Sequence, residues 1–267
     1  MRFINLITGI NGVANNGVGT LNIPVNRRYH ELKINCTQAG VAANPITTIS
    51  NVQLIVNGQT MINASPTALI GIANTFGITP ATGELPIFFS EPWRFTPQAS
   101  EATSWDMYGQ QTFVLQLTFL NPAGAVGVTV SASFDTARNL DRQGQPFLKI
   151  LKVLTNSFNM PIGASDILTF PLAYPLHRIF MNVSAGTITN VLFLADGTKI
   201  EEGTTGQILE FYNDYAINGT QFSFPWIIDY DQKLSSSLSA QNLDCQITSS
   251  AANTLTATIV QEVPGYR

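Results

Sequence analysis

Two histidines and two cysteines are all the imidazole and thiol chemistry the chain carries. His30 stands in Tyr29-His30-Glu31 and His177 in Leu176-His177-Arg178, and neither has a second histidine nearby. A metal centre with three or four protein ligands needs converging donors. One imidazole with no carboxylate at matching positions around the two histidines does not supply them, so both are expected to be structural. A hydrolase would need one of these imidazoles as its base, and no Gly-x-Ser-x-Gly is present to place a nucleophile. Gly12 and the glycines of Gly17-Val18-Gly19 precede a strand pattern rather than a helix, so they do not form a phosphate-cradling loop. Asp229-Tyr230-Asp231 offers two carboxylates without the further oxygens of a calcium loop, and reads as a solvated turn. Cys36 and Cys245 lie in unrelated contexts and read as buried free thiols rather than a disulfide or redox pair. The expectation is a protein that is not an enzyme, with no catalytic, cofactor-binding or metal-ligating residue.

The elements that hold these residues are written twice. Leu21-Asn22-Ile23-Pro24-Val25 and His30-Glu31-Leu32-Lys33-Ile34-Asn35 align with Leu168-Thr169-Phe170-Pro171-Leu172 and His177-Arg178-Ile179-Phe180-Met181-Asn182, each 147 residues further on. Asn51 to Gly58 falls on Asn190 to Gly197, and Leu69 to Phe76 on Ile208 to Tyr215, at a spacing of 139. Phe89-Ser90-Glu91-Pro92-Trp93 aligns with Phe222-Ser223-Phe224-Pro225-Trp226 at 133, Gln116-Leu117-Thr118 with Gln246-Ile247-Thr248 at 130, and Val128 to Ser131 with Leu255 to Thr258 at 127. Leu6-Ile7-Thr8 also meets Val153-Leu154-Thr155 at 147. The spacing only shrinks, so the second copy keeps the order of elements and shortens its loops.

Each copy reads as β structure. Leu21 to Val25 and Leu32 to Cys36 alternate with the period of a half-buried strand. Asn57-Gly58 and Asp196-Gly197 between apolar runs are the strongest short-range hairpin signal in the chain. Asn121-Pro122-Ala123-Gly124 joins two further strands, Gln111 to Leu120 and Val126 to Phe134. One helix is expected per copy, Pro66 to Phe76 with Ser65 as cap and Gly77 as stop, and Gly206 to Tyr215 as its mate. The prediction is an all-β chain of two tandem eight-stranded jelly rolls, each with one short helix. The N-terminal module spans 1–140, the C-terminal module 147–267, and 141–146 links them. The surrounding join, residues 137–149, gathers Arg138, Arg142 and Lys149, with Lys152 just beyond. It reads as a solvated connector, or as a contact for an acidic neighbour or lipid headgroups. The repeated Pro92-Trp93 and Pro225-Trp226 read as shared core packing, with a sugar platform or partner anchor as the other possibility.

Composition points to assembly. Charged residues make up 11% of 267 residues and hydrophobic ones 45%, with a net charge of −4 and a pI near 5.1. An ordinary soluble domain is about one-quarter charged, so a surface this neutral on a lone monomer invites association. The apolar content excludes disorder, and the acidic balance excludes a basic field for nucleic acid. Met1 to Gly9 is too short and too interrupted for a secretory signal, and no apolar run reaches the length of a membrane-spanning helix.

With its tandem repeat, its Leu21-x-Ile23-Pro24 and Leu168-x-Phe170-Pro171 strands and its paired hairpins, the chain resembles the double jelly-roll major capsid proteins. These belong to the tailless icosahedral viruses that enclose a membrane, the lineage of tectiviruses, corticoviruses and adenoviruses. The compact size is most like the corticovirus coat protein. The resemblance implies a homotrimer whose six modules form a pseudo-hexagonal capsomer tiling an icosahedral shell around an internal membrane. It implies contacts with neighbouring capsomers, with minor capsid and penton proteins, and with that membrane, without direct binding of nucleic acid. It places the chain in the virion capsid after assembly in the host cytoplasm. The other readings are a tandem jelly-roll carbohydrate-binding, lectin-like protein and, disfavoured by the missing metal ligands, a two-module cupin enzyme.

Overall fold

The computed structural model describes residues 2–7, 10, 13–94, 96–120, 126–138, 149–167, 170, 173–214, 226–229 and 237–264. The chain divides into two compact units. One comprises Met1–Ala73, Ile78–Leu151 and Val263–Arg267, the other Asn74–Gly77 and Lys152–Glu262. The expected linker 141–146 and the Asn121-Pro122-Ala123-Gly124 turn lie outside the described residues.

The first module runs β1 (Phe3–Ile7), β2 (Val18–Asn22), β3 (Arg28–Gln38), β4 (Val41–Ala42), α1 (Pro45–Thr48), β5 (Ile49–Val56), β6 (Gln59–Ala64) and α2 (Pro66–Thr75). It continues with β7 (Glu84–Phe88), α3 (Pro97–Glu101), β8 (Trp105–Asp106), β9 (Phe113–Phe119) and β10 (Val126–Asp135). In one sheet β1, β10 and β3 lie in order, and β4, β7 and β8 all pair with β3. In the other the order is β6-β5-β9-β2. These pairings are antiparallel, and alternate residues enter the core: β9 is buried at Phe113, Leu115, Leu117 and Phe119. Eight of these ten strands, all but the two-residue β4 and β8, make the two-sheet jelly roll. Tyr29, Phe89, Trp105 and Phe113 are fully buried at its centre. Tyr29 meets Phe113 edge-on at 5.4 Å, and Phe89 lies 4.4 Å from Trp105.

The second module repeats the order: β11 (Lys149–Met160), β12 (Gly163–Ile167), β13 (Leu176–Val183), β14 (Ile188–Ala195), β15 (Thr198–Thr204), α4 (Thr205–Asp214), β16 (Trp226–Asp229), β17 (Leu243–Ser249) and β18 (Asn253–Pro264). Its sheets run β16-β13-β18-β11 and β12-β17-β14-β15. Its core is mostly aliphatic, with Ile179, Met181, Val191, Ile247, Leu255 and Ile259 around Phe193 and Phe170. Where the first module buries Tyr29 and Phe113, the second places Leu176 and Leu243.

Registers test the repeat residue by residue. Val52 faces Leu117 as Val191 faces Ile247, and Val128 faces Cys36 as Leu255 faces Val183, in agreement with the sequence alignment. Two alignments shift. Leu21 faces Leu115 while Ile167 faces Cys245, so Ile167 and not Leu168 matches Leu21. Leu168 and Pro171 lie outside the described residues. Glu31 faces Phe88 and Arg178 faces Asp229, which makes Trp226 the counterpart of Leu85. Trp93 instead follows β7 in a turn. The two Pro-Trp pairs are therefore not equivalent, and chance similarity of a short aromatic motif produced that match.

The paired helices begin and end where local chemistry puts them. Ala68 N–H donates to Ser65 Oγ at 3.2 Å, Pro66 opens α2, and Gly77 stops it at φ 77°. α4 starts on a capping box that the sequence reading missed. Gln207 Oε1 accepts from Thr204 N–H at 2.9 Å, and Thr204 Oγ1 accepts from Gln207 N–H at 3.4 Å. The first module adds two short helices beyond the single one expected, capped by Asn44 and Thr96. Among the described residues no helix is long and apolar enough to cross a membrane.

Candidate functional site: repeated tethers and a buried histidine cluster

Asn57-Gly58 and Asp196-Gly197 take the positive φ values expected of their turns, 49° and 79°, then 49° and 77°. Both turns are tied to the strand next door in the same way. Asn57 Oδ1 accepts from the backbone N–H of Gln111 and of Thr112, each at 3.0 Å. Asp196 Oδ1 accepts from Gln241 N–H at 2.9 Å and Asn242 N–H at 2.8 Å. The tether needs one side-chain oxygen, which either an amide or a carboxylate supplies, so it survives divergence of the two copies.

The two histidines share a backbone position as well as a sequence position. Between β10 and β3 the register steps from Ser133–Glu31 to Phe134–Tyr29, passing over His30. Between β18 and β13 it steps from Val260–Arg178 to Gln261–Leu176, passing over His177. Each histidine is the extra residue of a β-bulge, a distortion that re-aims one side chain. In both modules it is aimed toward a carboxylate at the end of the neighbouring strand. His30 Nε2 lies 3.0 Å from Asp135 Oδ2. His177 Nδ1 lies 3.3 Å from Ser237 Oγ, which donates to Glu262 Oε2 at 2.6 Å. Asp135 and Glu262 stand 127 residues apart, the spacing of their strands. This corrects the sequence reading that no carboxylate recurs at matching positions. The signal was present but lay a hundred residues from the histidines.

In the first module the cluster is charged and buried. Asp135 accepts from Arg28 Nε at 3.2 Å, from Arg28 Nη2, and from Ala137 N–H at 3.0 Å. Arg28 also donates to Glu101 at 3.1 Å, and Glu101 accepts from Arg2 at 3.3 Å. Burial pushes the Asp135 carboxyl up, yet hydrogen bonds from Arg28 and His30 outweigh it and hold the group below the usual carboxylate range. Burial lowers His30 below its ordinary value and the Arg2 and Arg28 charges add to this, against the opposing pull of Asp135.

Neither arrangement is built for catalysis. Ser237 directs its proton to Glu262, so the hydroxyl is not poised to pass it to His177, and the carboxylate does not orient the imidazole as in a triad. Asp135 is saturated by four donors. Among the described residues no three His, Cys, Asp or Glu side chains stand together as a metal site. Cys36 and Cys245 are free and buried. Burial pushes the Cys36 thiol up to about 12 and raises Cys245 well above the ordinary range. Trp93 packs edge-on against Phe88 at 5.7 Å rather than forming an open platform. In the basic join Arg138 pairs with Asp106 at 3.3 Å and lies over the Tyr108 ring, while Arg142 lies outside the described residues. Of Asp229-Tyr230-Asp231 only Asp229 is described, on β16 opposite Arg178 of β13 in the strand register.

Residues 5–135 match the family model of the viral coat protein P2 N-terminal domain. No curated protein sequence matches the chain. Among solved structures it is similar to the major capsid protein P2 of bacteriophage PM2, with a TM-score of 0.83 at 15% identity over 100% of this chain and 99% of that one. It is also similar to a chain of Sulfolobus Turreted Icosahedral Virus (0.71, 14%, 99% and 91%) and to one of the PBCV-1 virus capsid (0.65, 11%, 98% and 93%). The fold and the coat-protein match together define a double jelly-roll protein of the viral major-capsid class. The match to the viral coat protein P2 N-terminal domain lies in the first module, over residues 5–135. It is a structural protein of the virion capsid and not an enzyme.

Proposed function

We propose that three copies of this chain form a capsomer in which six jelly rolls surround a threefold axis as a pseudo-hexagon. Such capsomers tile an icosahedral shell around an internal membrane. The modules taken to do this are residues 1–140 and 147–267, joined by 141–146. The observation that carries the reading is the agreement of strand order and register between the two modules, down to the bulged histidine and the tethered hairpin. Two near-identical bodies in one chain give a closed trimer six similar outer faces, so one gene product can pack a hexagonal lattice. The low charge fits sides buried in such contacts. Capsomer neighbours, penton and minor capsid proteins and the membrane are the partners, with no direct role in nucleic-acid binding. The clusters at His30 and His177 serve as clasps between strands, with no metal or catalytic task. Light scattering of the purified chain tests the reading. It predicts a particle of about 87 kDa, three times the 29.0 kDa chain. A monomer at every concentration overturns it.

A further inference from the structure

A single network of side chains joins four elements of the first module at the end where β1 begins. Arg2, just ahead of β1, donates to Glu101 at 3.3 Å. Glu101 closes α3 and also accepts from Arg28, the first residue of β3, at 3.1 Å. Arg28 in turn donates to Asp135, the last residue of β10, at 3.2 Å. His30 completes the network on Asp135 Oδ2 at 3.0 Å, and its side chain is 1% exposed. A carboxylate only accepts, so the shared hydrogen sits on Nε2 and the neutral ring has Nδ1 as a bare acceptor. Nδ1 is buried with no hydrogen-bond partner among the described residues. The strand tied to this network is lightly held. β1 lies at the edge of its sheet, pairs with β10 alone among the described residues, and has four of its five residues exposed. Besides that ladder it has Phe3 stacked on Phe134 at 5.8 Å and the salt bridge of Arg2, whose side chain is 49% exposed.

We propose that His30 is a pH-operated latch on the N-terminal strand: neutral, it lets Arg2 and β1 dock, and protonated, it drives them off while β3 and β10 stay paired. Protonation places a hydrogen on Nδ1, where no acceptor faces it, and a charged N–H left unpaired in a buried site is costly. It also sets three cations, Arg2, Arg28 and His30, against two carboxylates, Asp135 and Glu101. Asp135 on β10 attracts the new charge, whereas Arg28 on β3 and Arg2 ahead of β1 repel it. Glu31, the next residue of β3, interacts with Lys33, Glu84 and Arg2. From the turn after β7, Ser90 Oγ and the N–H groups of Phe89 and Ser90 bond the His30 carbonyl and bring no charge. Arg28 is 11% exposed and fixed to Asp135, so it cannot leave without breaking a buried pair. Arg2 can, because a half-exposed pair contributes little. The latch belongs to the first module, since His177 meets the hydroxyl of Ser237 in place of a carboxylate.

The test is a nitroxide spin label on Ile4→Cys in the full chain, with its line shape recorded from about pH 8 to about pH 5. Ile4 is 79% exposed, so the substitution leaves packing intact, and the native thiols Cys36 and Cys245 are buried. The line shape of an ordered strand should give way on acidification to a mobile component that grows roughly fivefold. In the same labelled chain, His30→Gln keeps an amide that donates to Asp135 but cannot take up the proton, and Arg2→Gln removes the cation that is expelled. Either should hold the growth below about twofold, while His177→Gln should respond as the parent does. Circular dichroism over the same range checks that each chain is folded, and Arg2 is a surface residue whose replacement does not put folding at stake. A mobile component that fails to grow in the parent, or that grows as much in Arg2→Gln or a folded His30→Gln, overturns the latch. Loss of the response in His177→Gln overturns it as well.

Discussion

Replacing Asp135 with alanine removes the acceptor of four donors: Arg28 Nε and Nη2, His30 Nε2 and Ala137 N–H. The Arg28 side chain is 11% exposed and the Asp135 side chain 8%. The variant therefore strands a guanidinium that keeps only Glu101, itself 34% exposed. Removing one partner of a buried ion pair costs about 3–5 kcal/mol, and Asp135→Ala should fall in that range. Glu101→Ala leaves the Arg28–Asp135 pair in place and removes a half-solvated partner, which should cost no more than about 1 kcal/mol. Guanidinium unfolding at one fixed protein concentration measures both, since assembly makes apparent stability concentration-dependent. A loss below about 1 kcal/mol for Asp135→Ala, or one no larger than for Glu101→Ala, would refute the idea that this carboxylate clasps β10 to β3.

Other outcomes follow from the same geometry. His30 is held below the ordinary histidine value of 6.5, so on acidification the unfolded chain takes up this proton first. Stability should fall as pH drops below about 6.5 toward the folded-state value, and His30→Gln should flatten that segment of a pH–stability curve. Asp135 is held below the ordinary aspartate value of 3.8 and adds stability above that pH, which should drain away as pH falls through its folded-state value. Asn57→Asp keeps the oxygen that accepts from Gln111 and Thr112 and should change the melting temperature little, whereas Asn57→Ala should cost about 1–2 kcal/mol by calorimetry. A maleimide should label neither Cys36 nor Cys245 in the folded protein and both in denaturant, because each thiol is buried and its pKa raised.

Alternating strands, Asn-Gly and Asp-Gly turns and a proline-opened helix were legible in the sequence because each depends on neighbouring residues. Repetition added equivalence across long range: the Val52–Leu117 pairing recurs as Val191–Ile247, and Val128–Cys36 as Leu255–Val183, between the residues that the alignment matches. Contacts set by the partner strand were not legible. The bulges at His30 and His177 show only in the register, and Asp135 and Glu262 become their neighbours only after distant strands pair. The Pro-Trp match failed for the opposite reason, because local similarity carried no register to check it. The Thr204–Gln207 capping box could have been read, since its signature is four residues long.

The central claim is that six equivalent jelly rolls surround a threefold axis, and imaging the purified protein by electron cryomicroscopy tests it most directly. The account predicts capsomers that look sixfold at low resolution and resolve into three copies, each contributing two modules whose bulged histidines sit at matching positions. Capsomers built from two, four or five chains, or a threefold particle whose two modules are not related by about 60° around the axis, would contradict it.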